Sequence, residues 1–336
     1  MKAMYELLGI CLALTGLLTL NALASLLTAL LWRAIEARAQ RWTARARAQT
    51  LFALRIFPGA VAIACVAALL LPAYIAHEPR QTAEEVSLKL GALAAISAAG
   101  LLLAAWRGVA AWMATRRLVN NWLRNAELIE PDQAPVPAYR LRHPFPVVAV
   151  VGVFQPRLFI ADYLFDSLSR EELAAAIAHE CGHLAARDNL RRALLRACRD
   201  VLTIAPCGRS LDRAWAEASE AAADEYAARA GGAAALDLAS ALVKIARLVP
   251  AGVKPAIPAG ALLIGEDTGG IAHRVQRLTQ MAALDGSAEN GSACLPDSPL
   301  WPGVLALTVA ALLMATSPSL LVKVHLMIEA LVAGLQ

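Results

Sequence analysis

Charge is scarce in this chain. Only 17% of its 336 residues are Asp, Glu, Lys or Arg, while 58% are hydrophobic. A soluble domain carries about a quarter charged residues and about half apolar ones, so the balance argues against an ordinary soluble protein and for one that sits in a membrane. The net charge of +4 is too small to argue for direct binding of nucleic acid. Pairs of cysteines are also missing. Cys11, Cys65, Cys181, Cys198, Cys207 and Cys294 follow no pairing rhythm and no CxxC occurs, which excludes a zinc ribbon and a thioredoxin-like redox site. Cys11 and Cys65 stand in apolar runs and read as small hydrophobes. The absence of a framework among the other four fits a reducing compartment.

What the chain does have is long apolar runs. A helix needs roughly 20 apolar residues to cross a bilayer, and four stretches qualify: about 5–32, 51–76, 86–113 and 301–322. The first is longer than the core of a signal peptide and reads as a retained anchor. A Ser-Pro-Ser break at Ser317 to Ser319 interrupts the fourth. The tail beyond it, with Lys323, His325 and Glu329, reads as lying along the membrane surface. Arg33, Arg38, Arg41, Arg45 and Arg47 fall between the first two spans and Arg55 at the start of the second, against a single Glu36. Arg107 near the end of the third and Arg116, Arg117 and Arg124 after it add to this, whereas acids outweigh bases between the second and third. The positive-inside rule then places the N-terminus outside the inner (plasma) membrane and the arginine-rich segment and residues 115–299 in the cytoplasm. The same arginines suit anionic lipid headgroups.

Residues 115–299 have the order of a folded domain. "APVPAYRLRHPFP" breaks the helical pattern, and residues 147–161, "VVAVVGVFQPRLFIA", read as two short strands joined by a turn. In "SLSREEL", Ser169 and Glu172 form a capping box that starts a helix running through Asp200. Further helices are expected over about 211–230 and 234–248 and again at "GGIAHRVQRLTQM", with Gly- and Pro-rich residues 250–268 as a loop and residues 286–299 as a polar linker. The expected fold is a mainly α integral membrane protein. Residues 1–114 carry three spans, 115–299 form an α+β domain, and 300–336 supply a fourth span and the tail.

The chemistry gathers at "IAHECGHLAARD". His179 and His183 are four residues apart and share a helix face, with Glu180 beside them. This HExxH pattern lets two imidazoles bind zinc at roughly 2.0–2.1 Å while the glutamate takes a proton from water. A pair of buried structural histidines would leave both Glu180 and Gly182 without a reason. A catalytic zinc needs a third protein ligand, and "WAEASEAAADEYAARAG" offers Glu217, Glu220, Asp224 and Glu225 on one helix. Glu220, set among alanines, is the choice over a solvated acid, because Asp224 one turn on can accept the N–H of His179 and fix its tautomer. Glu217 has only Ala221 at that spacing. His273, Arg274 and Tyr226 are candidates by position for stabilising the oxyanion. Residues 147–151 or 157–160 would offer an edge strand to an extended substrate, or form only a buried hairpin.

"FQPRLFIADYLFDSLSREELAAAIAHECGHLAARDN" and "EASEAAADEYAARAG" together resemble the BlaR/MecR-type membrane metallopeptidases, in which three spans, a cytoplasmic zinc-protease domain of zincin type and a fourth span follow one another. The resemblance implies His179, His183 and Glu220 as ligands of one Zn2+ per chain, Glu180 as catalytic base and Asp224 as the residue behind a ligand. It implies regulated proteolysis of a transcriptional repressor or of the chain itself, with the bilayer and a second copy of the chain as further partners. The chain ends soon after the fourth span, so the penicillin-binding sensor domain of the sensor members is not expected. "AHRVQRL" is similar to the arginine-bearing helix of the HtpX and CAAX-protease type, a quality-control or processing protease, with Arg274 at the matching place and Arg277 one turn on. A signalling scaffold with a structural zinc site is the non-enzymatic alternative, and Glu180 speaks against it.

Overall fold

The computed structural model describes residues 2–79, 86–130, 134–198, 207–249, 268–285 and 318–335. Helix α1 (Lys2–Ala39), helix α2 (Ala44–Cys65) with its continuation α3 (Leu71–His77), and helix α4 (Leu88–Leu123) supply three helices long and apolar enough to cross a membrane. Each is 34 to 37 residues long, about 50–55 Å at 1.5 Å per residue, against a hydrocarbon layer of about 30 Å. One end of every helix therefore projects well beyond an apolar slab.

A π turn at Val66–Leu70 joins α2 to α3. Pro72 follows immediately. A proline in a helix lacks an N–H and crowds the carbonyl four residues back, and one wide turn makes room for the ring without breaking the rod. At the other end of α2 the arginine-rich segment differs from the expected loop. Only residues 40–43 lie between the helices, and Thr43 caps α2 by accepting the N–H of Ala46. Arg33 and Arg38 stand on α1, while Arg45, Arg47 and Arg55 stand on α2. Arg55 is not placed by charge asymmetry alone. It is buried and donates from Nε to Asp212 at 2.9 Å.

Beyond α4 comes a four-stranded sheet: β1 (Ala126–Ile129), β2 (Ala138–Leu141), β3 (Val148–Val151) and β4 (Arg157–Ala161), in the order β1-β2-β4-β3. Strands β2 and β4 are parallel and the other two pairs antiparallel. The hairpin β3–β4 matches the expectation for residues 147–161. Strand β2 lies in the proline-rich stretch expected only to break a helix, because Ala138 to Leu141 between its prolines is long enough to pair with β4. Gly152 closes the hairpin with φ of 113°, and a Cβ there would stand 2.6 Å from the carbonyl oxygen of Gln155.

The short α5 (Leu164–Ser167) leads into α6 (Arg170–Ala185), which starts with the expected capping box. The helix expected to run on through Asp200 instead breaks at Arg187, which adopts φ of 55°, and restarts as α7 (Asp188–Cys198). Helix α8 (Cys207–Ala227) ends in a single 3-10 turn (Ala228–Ala230), and α9 (Gly232–Leu248), α10 (Thr268–Asp285) and α11 (Pro318–Leu335) complete the described residues. Residues 301–317 of the expected fourth span, the loop at 250–267 and the linker at 286–299 lie outside them. Helix α11, in the tail read as lying along the membrane surface, packs on α3, the π turn and α4, where Ile328 joins Leu8, Tyr74 and Leu90.

Helices α8 and α7 tie the metal-bearing half to this frame, beside Val119 and Trp122 of α4 in the core of the sheet. Helix α8 lies antiparallel along α2, from Ala44 at Glu225 to Arg55 at Asp212, with Leu51, Trp215 and Ala218 between. Helix α7 packs against both α2 and α4, with Ala197 facing Gly108 of α4.

Glu172 locks α6 to α9. Its carboxylate accepts from the Ser169 N–H, Ser240 and Lys244 at 2.6–2.7 Å. Burial works against its charge, but those donors prevail and hold the carboxyl below its ordinary value of 4.5. A folded-state value below the unfolded one makes the stabilisation complete above about 4.5 and lost as pH falls through the depressed value. Glu172→Gln is therefore expected to cost about 1–3 kcal/mol at neutral pH. It should also flatten the acid limb of the stability curve, measured by denaturant unfolding of detergent-solubilised protein from neutral pH downwards.

Candidate metal centre

Helices α6 and α8 bring the site together. Gly182 faces α8 so closely that a Cβ would stand 3.1 Å from the Ala223 Cα and 3.1 Å from the Tyr226 Cβ. With the helices at this distance, His179 Nε2 lies 3.5 Å from Glu220 Oε2, and His183 Nε2 lies 3.4 Å from Glu220 Oε1. Ligand atoms of His179, His183 and Glu220 all fall within 4.8 Å of one another. Glu217, the competing acid, is exposed on the far side of α8.

The remaining nitrogen of each histidine is held by a carboxylate. Nδ1 of His179 stands 3.0 Å from Asp224 Oδ1, and Nδ1 of His183 stands 2.8 Å from Asp188 Oδ2. Both acids are buried, and Ser219 also donates to Asp188. Asp224 is gripped further by Arg274 at 2.7 Å and Arg277 at 3.0 Å. Glu220 has guanidinium groups on both sides, Arg192 Nη2 at 3.0 Å and Arg274 Nη1 at 3.2 Å. Oε2 of Glu220 is nevertheless buried with no hydrogen-bond donor aimed at it.

Those charges set the protonation of the metal-free cluster. Burial opposes a charge on His183, but Glu220 and Asp188 outweigh it and push its pKa up to about 9. Burial likewise opposes charge on Glu220 and Asp224. The imidazole of His183 prevails at Glu220, which falls well below the carboxylate range, and Arg274 prevails at Asp224, which falls to about 2. These charges favour the protonated His183 ring in the metal-free cluster, and metal binding must displace that proton.

The donors fit zinc. Two imidazole nitrogens and a carboxylate are a catalytic zinc set, and two ligands on one tetrahedral ion at about 2.1 Å stand roughly 3.4 Å apart, close to the distance from each imidazole to its nearer Glu220 oxygen. Glu180 is beside them, and the N–H of Val150 on the edge strand β3 donates to its Oε2 at 2.9 Å.

The profile of peptidase family M48 matches residues 149–325, more than half of the chain. The chain belongs to peptidase family M48. It is a zinc-dependent peptidase whose candidate metal site is the group His179, His183 and Glu220. Neither curated proteins nor solved structures give a match.

Of the other residues singled out from the M48 chain's sequence, Arg274 stands in the cluster. His273 is exposed on α10, and Tyr226 lines a cavity of about 150 Å³ with Arg45 and Arg191, behind the α6–α8 contact. Strand β4 is internal to the sheet, so of these two strands only β3 is an edge. There both main-chain groups of Val150 are engaged, the N–H by Glu180 and the carbonyl by Asn189 at 2.9 Å. Sequence reasoning missed Asp188, Asn189 and Arg192. The signal for Asp188 was its place five residues past His183, where it reaches back only if the helix breaks between them.

The metal content of three variants tests the arrangement. Glu220→Gln should lose zinc, Glu217→Gln should keep it, and Asp224→Asn should bind about 10–100-fold more weakly. Chelator competition on the purified proteins measures this, and a zinc-loaded Glu220→Gln beside a zinc-free Glu217→Gln would reverse the assignment.

Proposed function

We propose that the chain is an integral-membrane zinc endopeptidase working at the cytoplasmic face, with His179, His183 and Glu220 as ligands of one zinc ion and Glu180 as general base. The observation that carries this is the convergence of those three donors next to a carboxylate with its own orienting hydrogen bond. Zinc, when bound, supplies a Lewis acid that polarises water and the peptide carbonyl. Glu180 accepts the proton of the attacking water, and Val150 N–H keeps the carboxylate turned towards the site. Asp224 and Asp188 hold the Nδ1–H of the two histidines, so that each Nε2 presents its lone pair. Arg274 braces Glu220 and Asp224 and is the nearest of the three oxyanion candidates to the ligand group.

On this reading residues 1–114 form the membrane part, although α4 continues to Leu123. Residues 115–299 form a peptidase unit of zincin type, and 300–336 contain a fourth span. The arginines near the α1–α2 turn support a cytoplasmic peptidase and an outer N-terminus. The order of parts and the motifs favour regulated cleavage of a cytoplasmic protein, a repressor or the chain itself, as in BlaR/MecR-type proteins. The HtpX or CAAX-protease type is the second reading. Its support is the contact of Arg274, the arginine of "AHRVQRL", with the Glu220 carboxylate.

Two experiments test these proposals. Glu180→Gln should keep zinc and fold yet lose about 10²–10⁴-fold in hydrolysis of a protein substrate such as casein; near-wild-type activity in metal-loaded mutant protein would sink the base assignment. Reporter fusions at Trp42 and within residues 286–299 should report cytoplasm, and one between His77 and Leu88 the opposite side. An external signal from the 286–299 fusion would end the cytoplasmic-substrate reading.

A further inference from the structure

A second group of metal-ligating side chains stands at the other end of the membrane bundle. His77 and Glu78 close the rod formed by α2 and α3, and His325 and Glu329 lie one turn apart on α11. The chain has six histidines, and the fold brings these two together from distant parts of the sequence. Their rings stack with centroids 5.6 Å apart and planes 27° from parallel. From the zinc-binding level of α2 to His77 is roughly 40 Å at 1.5 Å per residue, so this cluster has no part in the candidate metal centre.

The hydrogen bonds leave two lone pairs free. Nδ1 of His77 stands 3.1 Å from the carbonyl oxygen of Ala73. A carbonyl only accepts, so that nitrogen carries the hydrogen in the neutral ring and Nε2 carries the lone pair. Nε2 of His325 stands 3.4 Å from Glu329 Oε1, which leaves the lone pair on Nδ1. That Nδ1 is buried without a hydrogen-bond partner, and Glu78 Oε2 stands 3.9 Å from it. The gap is too long for a hydrogen bond and near the roughly 3.4 Å between two ligands of one tetrahedral ion. The side chains of His325 and Glu78 are only 12% and 8% exposed, against an apolar cluster of Leu8, Tyr74 and Ile328. An imidazole held by a carboxylate or carbonyl on one nitrogen and bare on the other is the usual state of a metal ligand.

We propose that His77, Glu78 and His325 form a second site for a zinc-class divalent transition-metal ion, with Glu329 orienting His325. The donors are spread more widely than those of His179, His183 and Glu220, and the stacked His77 ring beside His325 supplies the third. Imidazole and carboxylate donors select such an ion over calcium or magnesium, which take oxygen ligands. The bound ion would tie α11 to the end of α3.

The test is metal content in the full chain, purified in detergent, equilibrated with Zn2+ and then dialysed. Wild type should retain two equivalents by elemental mass spectrometry. Glu220→Gln should retain one and lose peptidase activity, whereas His325→Ala should retain one and keep it. The double variant should retain none. Glu329→Gln should weaken the second equivalent by about 10–100-fold. One equivalent in wild type, or a zinc-loaded Glu220→Gln/His325→Ala double variant, overturns the proposal. If His325→Ala does not fold, His77→Gln and Glu78→Gln in the Glu220→Gln background decide. Zinc retained by both is adventitious surface binding and overturns it equally.

Discussion

The candidate metal ligands sit on two helices, and the distance between those helices rests on one missing methyl group. Gly182 lies on α6 between the two histidines, facing Ala223 and Tyr226 of α8 at contact distance. A side chain there would push α8 away together with Glu220 and Asp224. Imidazole–carboxylate distances of 3.4–3.5 Å could not then survive on both sides of Glu220. Packed interiors do not absorb such shifts smoothly, since an added methylene forces its neighbours off their rotamers. The alanine-rich composition of α8 serves the same end. Ala218, Ala222 and Ala223 keep the helix thin on the sides where α2 and α6 lie against it.

Bringing so many ionised groups out of water is costly unless each is paired. Asp224 is fully buried and meets that cost with His179, Arg274 and Arg277. Glu220 is shared between two histidines and two arginines, and those arginines come from different helices, Arg192 from α7 and Arg274 from α10. The carboxylate at the centre of the site is thus braced by one guanidinium from a helix packed on α2 and α4 and by another from α10. A fixed charge lattice of this kind prepares the donors before an ion arrives.

Much of this was legible in the sequence because it depended on spacing within a single helix. His179 and His183, with Glu180 beside the first, declare themselves at a four-residue interval, as do Glu220 and Asp224, and the capping box of Ser169 and Glu172 marked the start of α6 to the residue. What stayed hidden depended on tertiary contact. Asp188 reaches His183 only because Arg187 adopts φ of 55°, and no periodicity announces such a break in an alanine-rich run. Strand β2 has no alternation of its own and exists because β1 and β4 flank it. Arg55 looked like a topological charge, yet its partner Asp212 lies far along the chain. The hydrophobic runs located the spans but not the helix ends, because α1 and α4 continue as helix through residues that a bilayer would not hold.

The π turn before Pro72 sets the direction in which everything beyond it faces. A π turn amounts to one residue inserted into an α-helix, and each residue of an α-helix turns the chain by about 100°. Tyr74 and His77 consequently point to a different quarter of the bundle from the one an unbroken helix would give them. In the direction they do take, Tyr74 donates to the carbonyl of Tyr5 and His77 meets His325. A chain shortened by one residue within Val66–Leu70 would keep its length of span and its hydropathy almost unchanged. It would nevertheless present a lipid-facing surface where it now presents the seat for α11.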